Sequence, residues 1–490
     1  MIRNSTQNSS ARSLAVALAA TSASLLSFAV VSAVFRPRRR IAKQNGSDPD
    51  IEILTQRTAR NRRILSQAVD LLSEPWGFGN NHFASMLAQI RPSPFRGSWG
   101  KKARRRMETI PTRAGCSIEI EFVEPYNIDL DAAYSSSIPT VIVLHGINGH
   151  STEPYVEQAT LHIAVERKWR AVVLNYANAK ATKGEALVGG QSLIDAGDLS
   201  FLVSYIRKHH DGFLGALGFS MGGAKLVQYL CRTKEHSQLD AAATISSPLD
   251  FTERNYTVHK PVELVHRIYH FVIAASVKLS LARNYFQLRN HPRLANTTPF
   301  RRSLSSLMWW LQTNTVTEID RSITMPSKGY SDVHHYYNDA TYIHQLRDAI
   351  TMPFLCLTSK CDPFVPVECI PTYDVAAENE NVFIVNTPKV GGHIGFWLPG
   401  RGCWATRACL SFFDSVVSSV GYHDRSTACS YFAFGSFNII VPFDSSHDYH
   451  SPLSLSKYYR DTTSQSRQSQ ECIEERPASR PPITWSDPVL

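Results

Sequence analysis

The feature that most constrains this chain is a succession of three local signals around residue 220. Residues 213–218 form an apolar run of strand length, Gly218-Phe219-Ser220-Met221-Gly222 with Gly223 forms a glycine-bounded turn, and residues 224–230 read as a helix. A strand that passes into a helix through one serine leaves little room beside it, which accounts for the flanking glycines. The hydroxyl is thereby presented at a strand end. The amides that open the helix face the same point, where they can stabilise an oxyanion.

The surrounding pattern agrees with a mostly parallel sheet. Residues 118–123 alternate as a strand, 140–144 are a buried apolar run ending in His145-Gly146, and 155–167 are helical. A strand at 171–174, a helix at 193–208 and strands at 353–358 and 382–385 continue the alternation of strands and helices that builds βαβ units. Between 248 and 342 that alternation gives way to helical, basic and aromatic sequence, including Trp309-Trp310, which reads as a cap inserted between strands.

A serine hydroxyl is a poor nucleophile until an imidazole takes its proton, and that imidazole needs a carboxylate to fix its tautomer. Asp362 follows the strand 353–358 in Ser359-Lys-Cys-Asp-Pro-Phe-Val-Pro, a loop position at a strand end where a functional acid belongs; the alternative is an Asp-Pro turn. His393 lies in Gly391-Gly392-His393-Ile394-Gly395-Phe396, where glycines permit a tight loop that can carry the ring over the serine. The chain order serine, acid, histidine is the one that suits this topology. His145-Gly146-Ile147-Asn148-Gly149 closes the strand 140–144, so the backbone N–H groups of Ile147 and Met221 are the candidate oxyanion donors. Asn148 reads equally as a turn residue. His334 and Asp339 form an HxxxxD spacing of the kind used in some acyltransferases, although any His-rich loop produces it.

Other compositional features bound the surroundings of this site. Apolar residues make up 43% of the 490 positions and charged residues 19%, enough for a large core and unlike a disordered chain. The net charge of +9 is concentrated in the first 110 residues and comes with no nucleic-acid-binding motif, so it favours an anionic membrane surface. Nine scattered cysteines, with no CxxC pair and no zinc-type spacing, argue for a reducing compartment and against a disulfide framework or a metal; no cofactor is expected.

Residues 14–35 carry no charge and are long enough to cross about 30 Å of hydrocarbon as a helix. Arg36, Arg38, Arg39, Arg40 and Lys43 after the span outnumber Arg3 and Arg12 before it, which leaves the following domain on the cytosolic side. An endomembrane such as the endoplasmic reticulum is the leading address. A signal peptide or a mitochondrial presequence is the rival reading, since the first acidic residue is Asp48. The expected organisation is an anchor with basic flank (1–40), a basic linker and extension (41–110), an enzyme domain (111–420, cap at about 248–342) and a disordered tail (421–490).

With these residues assembled, the chain resembles the YheT-like branch of the α/β hydrolases, the AB hydrolase type 4 family, from about Trp76 to Phe413. The resemblance rests on Asn80-Asn-His-Phe-Ala, His145-Gly-Ile-Asn-Gly, Gly218-Phe-Ser-Met-Gly-Gly, Thr317-Glu-Ile-Asp with Gly329-Tyr and Tyr336-Tyr337, Asp362-Pro-Phe-Val-Pro and Gly391-Gly-His-Ile-Gly-Phe. It implies an α/β-hydrolase fold, a single N-terminal membrane span, and medium-chain acyl esters or glycerophospholipids as substrates. One departure concerns the pocket: relatives carry an Asn-x-Arg-Gly segment where this chain has Asn175-Tyr176-Ala177-Asn178. The expected activity is ester hydrolysis through an acyl-enzyme on Ser220, with acyl transfer to an alcohol or a catalytically silent scaffold as alternatives.

Overall fold

The computed structural model describes residues 51–111, 117–126, 138–176, 196–252, 264–283 and 306–420. The apolar segment 14–35, its basic flank and the polar tail 421–490 lie outside the described residues, as do parts of the cap. Among the described residues no helix is long and apolar enough to cross a membrane.

Nine strands form one sheet in the order β1-β9-β8-β7-β6-β4-β5-β3-β2. The middle of it is parallel: β5 (Arg170–Asn175), β4 (Thr140–Leu144), β6 (Leu214–Phe219), β7 (Ala241–Ile245), β8 (Phe354–Ser359) and β9 (Val382–Thr387) each run alongside the next. β3 (Ser117–Pro125) pairs antiparallel with β5, β2 (Ala103–Pro111) with β3, and β1 (Glu52–Leu54) with β9.

Strand periodicity assigns alternate residues to two core layers. Val141, Val143, Leu217 and Phe219 enter one layer, while Ile142, Leu144, Leu214 and Ala216 enter the other. Because both faces are covered, the central strands read as continuous apolar runs. The first layer is completed by α1 (Ala59–Gln67), and by Trp404, Phe412 and Phe413 of a long C-terminal helix. Between these come α2 (Asn81–Ile90), α3 (Pro154–Leu161), which continues as a π-helical turn over His162–Glu166, α4 (Gly197–Arg207) and α5 (Met221–Thr233). Leu199, Leu202 and Val203 of α4 and Leu226, Val227 and Leu230 of α5 fill the second layer.

The insertion between β7 and β8 is helical where it is described. It contains α6 (Leu264–Arg283), α7 (Leu307–Gln312), two short turns over Val316–Ile319 and Asp320–Thr324, and α8 (Val333–Ala340). Ala274, Val277 and Leu281, spaced for one face of α6, pack with Ile319 and Ile323 and against Trp309 and Trp310. The long C-terminal helix is α9 (Trp404–Val420).

The segment read as a basic linker and extension is part of the sheet: residues 51–111 supply both edge strands, and α1 packs on α9. Its charge is also partly engaged inside the protein. Arg105 pairs with Glu121 of β3 and with Glu157 of α3, and Arg106 pairs with Glu108 while covering the Phe122 ring at 4.4 Å. β7 was missed in the sequence because Ala-Ala-Ala-Thr-Ile is short and alanine is a weak strand former.

Candidate active site

Ser220 stands between the carboxyl end of β6 and the first residue of α5, with φ 51° and ψ −122°. A non-glycine residue in that region is strained, and the surrounding contacts hold it there. Gly222 shows why the turn tolerates so little: a Cβ on it would lie 2.5 Å from the carbonyl oxygens of both Leu144 and His145. α5 can start at the serine only because this backbone presses against the end of β4.

Asp362 reaches the site on the loop after β8 and His393 on the loop after β9. Ser220 Oγ lies 3.0 Å from His393 Nε2, and His393 Nδ1 lies 2.9 Å and 3.2 Å from the two carboxylate oxygens of Asp362. The Asp362 side chain retains 1% of its solvent exposure, and its Oδ1 also accepts from the N–H groups of Phe364 and Val365. That arrangement fixes the carboxylate plane and leaves the other oxygen to the imidazole. The Phe364 ring packs 4.8 Å from the imidazole, and Tyr269 of α6 packs 4.5 Å from Phe364.

The loop after β4 lies beside the serine. A Cβ on Gly146 would sit 3.4 Å from Ser220 Cβ, and the Gly146 N–H donates to the Tyr155 hydroxyl at 2.9 Å. The N–H groups of Ile147 and Met221, the two expected oxyanion donors, have no hydrogen-bond partner among the described residues. His145 itself is buried, its Nδ1 lies 2.8 Å from the Gly146 carbonyl, and burial pushes its pKa down to about 3. It is a neutral strut, not a second base.

The HxxxxD pair does not assemble. His334 and Asp339 are five residues apart on α8, which separates them around the helix; Asp339 instead accepts from the Tyr330 hydroxyl at 2.6 Å and lies 3.5 Å from His335. Of the departure at 175–178, only Asn175 and Tyr176 are described. Asn175 accepts from the Ser151 N–H at 2.8 Å, and Tyr176 lies under the Lys225 ammonium at 4.2 Å. Ala177 and Asn178 lie outside the described residues.

Sequence reasoning did not assign roles to Ser85 and Phe364, which contact His393, to Tyr155, which holds the Gly146 N–H, or to Tyr269, which packs on Phe364. The signals were the Asn80-Asn-His-Phe-Ala motif just before Ser85 and Asp362-Pro-Phe-Val-Pro, which contains Phe364. The remainder are ordinary residue types whose relevance depends on proximity. No group of side chains suited to a metal ion occurs among the described residues.

No family model matches the chain. It is similar to "Phospholipase ABHD3" of Mus musculus, 28% identical over 318 residues that cover 64% of this chain and 70% of that protein. The Homo sapiens protein of the same name is 27% identical over 322 residues, 64% of this chain and 72% of the other. "Medium-chain fatty acid ethyl ester synthase/esterase 2" of Saccharomyces cerevisiae is 25% identical, covering 58% and 64%. Among solved structures, a thermostable esterase from Pseudomonas putida has TM-score 0.41 at 15% identity, covering 70% of this chain and 98% of that one. Brefeldin A esterase has TM-score 0.39 at 10% identity, covering 75% and 87%. With curated relatives of these names, a mostly parallel sheet and a serine at the sharp turn between β6 and α5, the chain is similar to the α/β hydrolases.

Proposed function

We propose that this protein is a serine hydrolase that cleaves carboxylic esters of lipids, with Ser220 as nucleophile, His393 as base and Asp362 as the acid that orients it. The observation that carries the reading is the line of two contacts, Ser220 Oγ to His393 Nε2 at 3.0 Å and His393 Nδ1 to Asp362 at 2.9 Å. Attack of Oγ on an acyl carbonyl passes its proton to Nε2, and the imidazolium is stabilised by the buried carboxylate. Negative charge then develops on the former carbonyl oxygen beside the N–H groups of Ile147 and Met221. The imidazolium returns its proton to the leaving alcohol, and water activated by the same ring releases the acid.

Lipid esters are the favoured substrate class because the named relatives include a phospholipase and a medium-chain ester synthase/esterase. The apolar segment 14–35 fits the same reading as a single-pass anchor, with the enzyme domain of residues 111–420 on the cytosolic side. Acyl transfer is the second reading, favoured by the word synthase in the yeast relative's name. An alcohol in place of water at the acyl-enzyme is the only chemical difference.

The test is labelling of the full-length protein by a fluorophosphonate probe, in parallel with a mixed lipid extract analysed by mass spectrometry. Labelling that disappears in Ser220→Ala, with consumption of ester lipids by the wild type alone, is the expected result. Absence of labelling in folded wild-type protein sinks the catalytic reading. Ester lipids left intact by protein that does label sink the substrate class. Ethanol added to the assay separates the two chemistries, because a transferase forms ethyl esters at the expense of free acid.

A further inference from the structure

We propose that Asn148 is a positioning residue that ties the oxyanion loop to cap helix α6, so that the Ile147 donor is set by the seating of the cap. This inference rests on the serine-hydrolase reading above.

The loop after β4 is divided between two bodies. Its first half belongs to the core: His145 is buried, and the Gly146 N–H is held by the Tyr155 hydroxyl at 2.9 Å. Its second half belongs to the cap. The Ile147 side chain packs against the apolar cluster formed by Ala274 and Val277 of α6 with Ile319 and Ile323. The Asn148 side-chain amide donates to the Ser276 carbonyl of α6 at 3.0 Å, across 128 residues of sequence. The N–H that would bind the oxyanion therefore lies on the peptide joining Gly146 to Ile147, where core support ends and cap support begins.

The cap is itself cross-braced, so the hold on the loop is not local to one turn of α6. Lys278 donates to the carbonyls of Trp310 and Thr313 at 3.0 Å and 2.7 Å, tying α6 to α7, and Trp309 Nε1 donates to Ser322 Oγ at 3.0 Å. An oxyanion donor acts only if it is already aimed when charge develops, since a few tenths of an ångström of slack weakens it in the transition state more than in the ground state. A contact that fixes this peptide therefore affects turnover more than substrate affinity.

Asn148 has φ 53°, a conformation that asparagine, aspartate and glycine all adopt. This separates the two roles the side chain can have. If Asn148 serves only the turn, Asn148→Gly and Asn148→Asp are silent. If it ties the loop to the cap, both lose the contact, because glycine has no side chain and a carboxylate presents an acceptor to the Ser276 carbonyl.

The experiment compares wild type, Asn148→Gly and Asn148→Asp in the full chain, using p-nitrophenyl butyrate as substrate and thermal melting to follow folding. The expected result is a loss of kcat of about tenfold in both variants, less than deletion of a donor would cause, with KM within about twofold and the melting temperature retained. Wild-type kcat in either variant overturns the proposal, as does a loss confined to KM or one accompanied by unfolding in both. Wild-type protein that hydrolyses no ester and takes no serine-directed label is a different outcome, which removes the underlying reading together with the proposal.

Discussion

The backbone N–H of His393 donates to the hydroxyl of Ser85 at 2.7 Å, joining residues 308 positions apart. The same hydroxyl donates onward to the Asn81 carbonyl at 2.6 Å, so α2 holds the histidine loop through one side chain. The next amide, Ile394 N–H, donates to Ser246 Oγ at 3.2 Å. Gly392 fits between these supports at φ 52°, where a Cβ would lie 2.4 Å from the Asn81 carbonyl oxygen. The segment before the enzyme domain's expected start therefore sets where the imidazole stands.

Replacing Ser85 by alanine leaves a buried N–H without its acceptor, which costs about 1–3 kcal/mol. Part of that cost is relieved by movement of the loop, which misaligns the ring. Ser85→Ala is expected to lower kcat/KM about tenfold or more on p-nitrophenyl butyrate, with a parallel fall in the rate of fluorophosphonate labelling. Unaltered rates for both would show that the loop is held without this bond.

Asp362→Asn keeps the size of the side chain and an acceptor oxygen for the Phe364 and Val365 amides. In the proposed mechanism it removes the charge that selects the Nδ1–H tautomer and stabilises the imidazolium. A fall in kcat of about 10⁴-fold is expected, with substrate affinity little changed. Steady-state kinetics on a soluble ester measures both quantities.

Arg170 of β5 and Glu124 of β3 form a buried pair at 2.7 Å, with 5% and 1% of their side-chain exposure remaining. Removing one charge leaves the other stranded in the core, so Glu124→Ala is expected to destabilise the fold by about 3–5 kcal/mol in urea denaturation. Replacing both residues by methionine is expected to recover most of that loss.

Asp320 is buried in the cap and accepts from the Tyr337 hydroxyl at 3.0 Å, and burial raises its pKa from 3.8 to about 7. The folded state therefore holds this proton more tightly than the unfolded chain. Its contribution to stability is complete below the unfolded value and is lost as pH rises through about 7. Relative to Asp320→Asn, the wild type is expected to lose melting temperature progressively between about pH 4 and pH 7. A difference that stays constant across that window would contradict the shift.

The sequence by itself determined the alternation of strands and helices, the turn at Ser220 and the loop positions of Asp362 and His393. Each depends on short-range rules: apolar periodicity, the steric demand of a sharp turn and the tendency of polar groups to follow strand ends. The glycines at 218, 222, 391 and 392 were readable for the same reason, since close backbone approach excludes a side chain and leaves glycine in the sequence. Only the tertiary structure decided that residues 51–111 build both edges of the sheet, because a three-residue strand such as β1 becomes a strand only through pairing with β9. Likewise Ser85, Tyr155 and Asn148 are residues of common type whose local sequence does not show what they contact. Their roles come from hydrogen bonds to His393, Gly146 and Ser276, the first and last of which span hundreds of residues or more than one hundred and appear only once the chain has folded.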